Sequence, residues 1–155
     1  MKILGIDPGL TRTGFGIIDV HSESLKLIDY GIIKPKSSDK LERRLLTIFN
    51  DMSSIIKKYS PTVISIEDVF YGKNVKSALL LGQARGAAML SAASNKITIF
   101  EYSAKKIKQS VTGNGNANKD QVKFMVASIL NIKNLDIPLE QKIELRIIGF
   151  KCRSE

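Results

Sequence analysis

Apolar residues crowd the start of the chain without alternation. Residues 2–7 ("KILGID") read as a strand buried on both faces, closed by a lone carboxylate at Asp7. Residues 13–20 ("TGFGIIDV") and 25–33 ("LKLIDYGII") read as two further strands, with "HSES" as the turn between them. The period then changes. Leu41, Leu45, Phe49, Met52, Ile56 and Tyr59 recur at spacings of three and four, which predicts a helix over about 39–59 with Ser37 or Ser38 as its cap. "TVISIE" (62–67) is a short buried strand that again ends in a carboxylate, Glu67. Residues 75–94 read as a helix whose Gly82, Gly86 and alanines allow close approach to the sheet. "KITIFE" (96–101) is a fifth strand, and Ser103 caps a short helix through about 110. "TGNGNAN" reads as a flexible loop, 118–131 as a helix capped by Asn118, and Pro138 suits the first turn of a last helix. Three consecutive strands followed by alternating helices and strands predict an α/β fold, a five-stranded mixed sheet with helices on both faces. No linker, repeat or composition shift divides the chain, so residues 1–155 are expected to form a single domain.

Composition narrows the chemistry. One cysteine, Cys152, rules out an internal disulfide, and a single histidine, His21, makes a zinc site improbable. No apolar run is long enough to span a bilayer, and the amino terminus lacks the hydrophobic stretch of a signal peptide, so a soluble cytoplasmic protein with no membrane partner is expected. Twenty-four Lys and Arg against fifteen Asp and Glu give +9, which favours a polyanionic partner, with a merely basic, soluble surface as the alternative.

Asp7 and Glu67 each close a strand too apolar to lie at the surface. In an open α/β sheet, ligands collect beyond the carboxyl ends of the strands. If the first and fourth strands are parallel neighbours, both carboxylates emerge at one edge and repel. A hard divalent cation such as Mg2+ relieves that repulsion. Two such ions roughly 4 Å apart hold an attacking water and a leaving oxygen in line during phosphodiester cleavage. Taken alone, Asp7 before Pro-Gly reads first as a turn former, and Glu67-Asp68 as a solvated loop start. Phe70 and Tyr71, with Lys73 and Lys76 beside them, suit stacking on an unpaired base while lysines meet phosphates; an aromatic tucked under its own loop is the alternative. Lys105, Lys106, Lys108, Lys119 and Lys123 surround "TGNGNAN", whose backbone amides, with the helix start near Lys119, are suited to phosphate; a solvated lysine face is the alternative.

"GIDPGLTRTGFGII", "IEDVFYGKNVKSALLLGQARGAA" and "FEYSAKKIKQSVTGNGNANKDQV" together resemble the RuvC family of Holliday-junction resolvases, in register from residue 1 to about 138. The resemblance implies a ribonuclease H-like fold and a homodimer on four-way junction DNA. By the same resemblance, each subunit is expected to nick one of two like-polarity strands beside a branch-migration helicase complex of the RuvA and RuvB type. It implies two Mg2+ ions per active site, with Mn2+ as a substitute. Asp7 and Glu67 match the first two catalytic and metal-binding carboxylates. Phe70 matches the stacking aromatic, and Lys108 and Lys119 match the basic residues near the scissile phosphate, Lys119 with a catalytic part. Tyr71, Lys73, Lys76, Arg85 and Lys105 complete the expected DNA-binding set.

The tail departs from the family. Where the family reads Asp-x-x-Asp-Ala, this chain reads "DIPLEQKIELRIIGFKCRSE", with Glu140 at the first aspartate and Ile143 at the second. Glu140 is the third expected catalytic and metal-binding residue. Glu144, four residues on and on the same helical face, is a further candidate ligand. Glutamate in place of aspartate moves a carboxylate by roughly 1 Å where such sites tolerate about 0.5 Å. A junction-binding module that cuts weakly or not at all is therefore the second reading. An actin-like phosphotransferase is disfavoured, because 155 residues supply one such domain where two are needed.

Overall fold

The computed structural model describes residues 1–22, 24–68 and 74–131. Five strands, β1 (Lys2–Asp7), β2 (Thr13–His21), β3 (Ser24–Ile33), β4 (Val63–Glu67) and β5 (Thr98–Tyr102), form one sheet in the order β3-β2-β1-β4-β5. β1, β2 and β3 pair antiparallel, whereas β4 lies parallel to β1 and β5 parallel to β4. Four helices complete the described chain: α1 (Leu41–Tyr59), α2 (Val75–Ser94), α3 (Ala104–Thr112) and α4 (Lys119–Ile129). The last helix expected from Pro138 lies outside the described residues.

Side chains alternate across the sheet and build two cores. Leu4 and Ile6 of β1, Ile17 of β2 and Ile64 and Ile66 of β4 face α1 and α2, meeting Ile48, Met52, Ile56, Ala84, Ala88 and Ala92. Ile3 and Ile18 face the other way, onto Val111 of α3 and Val122 and Val126 of α4. The unbroken apolar run of β1 is thus explained by helices on both of its faces. It also fixes the register. A one-residue slip would exchange every inward side chain of β1 with its neighbour on the opposite face. Burying each large aliphatic is worth about 1.5–3 kcal/mol, so Asp7 is held at the strand's end by everything that precedes it.

Two expectations fail locally. Neither Ser37 nor Ser38 caps α1: the N-cap is Lys40, which makes no side-chain cap bond. The Asp39 amide is instead spent on the Lys36 carbonyl at 3.1 Å, in a turn that places both serines ahead of the helix. Gly82 and Gly86 do not approach the sheet either. A methyl group at either position meets no atom within 4 Å. The alanines alone provide that approach, and the glycines lie on the opposite side of α2 with the exposed Val75, Leu79 and Leu90. Asn118 and Ser103 do cap α4 and α3, and Gln121 completes a reciprocal capping box with Asn118.

At the far edge, the terminal ammonium of Met1 and Nε2 of His21 both meet the Asp19 carboxylate, at 3.1 and 2.8 Å. The His21 hydrogen bond first, then that of the amino terminus, hold Asp19 below the usual carboxylate range. The clasp loosens as pH falls through that lowered value.

Candidate active site

β1, β4 and β5 run the same way and end at the same edge, where β2 begins and β3 finishes. Ile6 pairs with Ile66, so the next residues, Asp7 and Glu67, leave the sheet side by side. Neighbouring strands lie about 4.8 Å apart, which sets the separation at which the two carboxylates start. Strand alternation places both on one face. Asp7 shares the parity of Ile3, and Glu67 that of Val63, which are the residues packed toward α3 and α4. Both are half-buried. Across β1–β2, Asp7 faces Gly14, whose missing side chain leaves that flank open.

The loop after Asp7 is tightly made. The buried Thr13 hydroxyl donates to the Gly9 carbonyl at 2.8 Å and accepts from the Gly9 amide at 3.2 Å. A Cβ on Gly9 would fall 2.4 Å from the Arg12 carbonyl, so only glycine permits the turn. From α1, Arg44 Nη2 donates to the Leu10 carbonyl at 3.1 Å and ties the same loop to the helix layer. Thr13 and Arg44 fix the loop that follows Asp7, yet neither stands out in the sequence. A threonine inside "TGFG" is a usable signal in retrospect; Arg44 has none, because its partner lies 34 residues away.

Of the basic residues, Lys105, Lys106 and Lys108 lie on α3, which starts at the same edge with only Ser103 between it and the end of β5. Lys119 opens α4 and is exposed, and Lys123 sits one turn further on. All five therefore belong to the helices covering the face toward which Asp7 and Glu67 project. Lys106 also lies over the Tyr102 ring, 5.7 Å from its centre. Lys76 is exposed in the first turn of α2. Arg85 is largely buried, with 16% of its side chain exposed, and pairs with Glu101 and with Asp68 at 3.6 Å. Phe70, Tyr71 and Lys73 lie outside the described residues, as do Glu140 and Glu144.

The loop between α3 and α4 departs from expectation. It reads as flexible, with amides offered to phosphate; in the structure those amides are spent internally. Gly113 donates to the Gln109 carbonyl, Asn114 to Thr112 Oγ1, Gly115 to Gln109 Oε1, Asn116 to Asn114 Oδ1, Ala117 to the Asn114 carbonyl and Asn118 to Gln121 Oε1. Gly115 packs so closely that a Cβ there would lie 2.8 Å from Lys105 Cγ. Gln109, which also donates to the Gly113 carbonyl at 2.8 Å, is the residue that folds this loop. Its partners lie four and six residues ahead, a local pattern with no sequence signature. With these amides committed inside the loop, the lysine ammonium groups of α3 and α4 are left as the candidate phosphate contacts.

An all-oxygen carboxylate pair at this separation suits a hard divalent cation. Among the described residues no group of three or more His, Cys, Asp or Glu side chains forms a fuller cage. Nor is any helix among them long and apolar enough to cross a membrane.

Comparison with known proteins shows the family and the fold. The profile of a family described as crossover junction endodeoxyribonuclease RuvC matches residues 3–145. The chain is 44% identical over 139 residues to the crossover junction endodeoxyribonuclease RuvC of Caldicellulosiruptor saccharolyticus, spanning 89% of this chain and 84% of that protein. It is 48% identical over 130 residues to that of Saccharophagus degradans, spanning 84% and 75%. Its structure is similar to that of Thermus thermophilus RuvC in complex with Holliday junction substrate, with a TM-score of 0.92 and 25% identity over 99% of this chain and 94% of that one. The ribonuclease H-like architecture expected from the motifs is the one observed.

Proposed function

Because the chain belongs to the RuvC family of crossover junction endodeoxyribonucleases, we propose that it resolves four-way DNA junctions by nicking two strands of like polarity, one per subunit of a homodimer. The observation that carries this reading is the emergence of Asp7 and Glu67 from adjacent parallel strands, at one edge and on one face. Residues 1–155 form one nuclease domain acting where the chromosome lies, in the cytoplasm, beside a RuvA and RuvB type branch-migration complex.

Asp7 and Glu67, joined by Glu140 from the tail with Glu144 as a further candidate, hold the metal. The metal, two Mg2+ or Mn2+ ions in this reading, would supply water activation and charge neutralisation at the scissile phosphate. The chain's own groups do the rest. Lys119 stabilises negative charge that develops on the phosphoryl oxygens, and Lys108 draws the phosphodiester to the carboxylate edge. Lys76, Lys105 and Lys73 neutralise the flanking backbone, while Phe70 and Tyr71 stack on bases unpaired at the junction centre. The experiment compares a synthetic four-way junction with linear duplex of the same sequence. Magnesium-dependent nicks paired across the junction are expected, with the duplex left intact; equal cutting of both, or of neither, contradicts the proposal.

The exposed side of α2 supports the homodimer. Val75, Leu79, Gly82, Gly86 and Leu90 fall at spacings of four, three, four and four, one stripe opposite the buried alanines. Its leucines supply apolar area, and its glycines let a second helix come close. Leu79→Lys places a charge in that stripe without touching the core. The expected outcome in light scattering is a shift from dimer to monomer with an unchanged melting temperature.

A further inference from the structure

Arg85 stands apart from the other basic residues. It belongs to α2, on the sheet face opposite the one toward which Glu67 projects. Its guanidinium meets two carboxylates, Glu101 of β5 and Asp68 just beyond β4. Their positions are informative. Glu101 pairs with Ile66, and Glu67 with Tyr102, so the two grips flank Glu67 on either side. The Asp68 amide donates to the Tyr102 carbonyl at 2.9 Å, continuing the β4–β5 ladder one residue past the strand. A cation already matched by two carboxylates, with 16% of its side chain exposed, has little charge left for a phosphate backbone.

We infer that Arg85 is a positioning residue, gripping Asp68 and Glu101 behind the sheet so that the end of β4 presents Glu67 to the metal. This rests on the nuclease reading above and replaces the expectation that Arg85 binds DNA. The planar guanidinium spans both carboxylates from one buried origin, which a lysine ammonium does not.

The test uses the full-length protein. Arg85→Gln is expected to lower nicking at saturating junction by about 10–100-fold, the usual cost of losing a residue that orients a metal ligand. Junction affinity measured in calcium stays within about twofold. In the DNA-free protein, the Mn2+-induced rise in melting temperature shrinks, and Arg85→Lys falls between Arg85→Gln and wild type in both readouts. Glu101→Gln, a change at an exposed side chain, removes one grip and is expected to move both readouts the same way by a smaller amount; it decides the matter alone if Arg85→Gln does not fold. Loss of junction affinity in step with rate identifies a phosphate contact and overturns the inference. Wild-type nicking and Mn2+ response in the variants overturn it equally. A wild-type control that fails to nick contradicts the nuclease reading instead, while the DNA-free Mn2+ titration still reports on Arg85.

Discussion

Asp7→Asn is expected to reduce nicking of a four-way junction by about 10³-fold or more while leaving junction affinity unchanged or slightly improved. The substitution keeps the shape of the side chain and removes its charge. Nothing in β1 has to move, because its register is set by Ile3, Leu4 and Ile6, all fully buried. The metal loses a ligand that no described neighbour replaces, and approaching phosphate loses a repelling charge. A second readout separates chemistry from folding. Without metal, Asp7→Asn is expected to melt slightly higher than wild type, since relief of the repulsion with Glu67 is no longer needed; with Mn2+, wild type gains stability and the variant gains much less. Equal nicking rates measured under single-turnover conditions contradict the metal assignment.

Salt is expected to act nearly as strongly on binding as Asp7 does on cutting. If the lysines of α3 and α4, with Lys76, neutralise about six phosphates, junction affinity falls roughly a thousandfold between 50 and 200 mM salt. The loop between α3 and α4 sharpens this expectation. Its amides are spent on Gln109, Thr112, Asn114 and Gln121, so phosphate contacts are expected from lysine ammonium groups. Each lysine removed should therefore lower the slope of log affinity against log salt by about one, without changing sequence preference. Fluorescence anisotropy of labelled junction across that range measures it. A flat response contradicts the basic surface as the source of affinity.

Much of the fold is legible in the chain because it rests on local periodicity. The buried runs of β1 and β4, the three-four spacing of α1 and the Asn118 cap are each decided by residues within one element. The meeting of Asp7 and Glu67 at one sheet edge is legible too, since a charge closing a buried strand needs a reason wherever it is found. What sequence misses depends on partners brought in by the fold. Arg44 reaches Leu10 across 34 positions, and Arg85 reaches Glu101 across 16. A lysine- or arginine-rich stretch looks alike whether its charges face phosphate or a carboxylate of the same molecule. Gly82 and Gly86 mislead for a related reason: small residues signal close approach without saying to what. The serines before α1 mislead because a turn at Lys36–Asp39 claims the chain first.

The central claim is that two carboxylates from separate strands are crowded together for the sake of a cation. A crystal of the protein soaked in manganese, with anomalous scattering recorded at the manganese edge, tests it most directly. The account predicts an anomalous peak between Asp7 and Glu67, within about 2.3 Å of an oxygen from each. A peak that touches neither carboxylate, or the two side chains turned to opposite faces of the sheet, would contradict it.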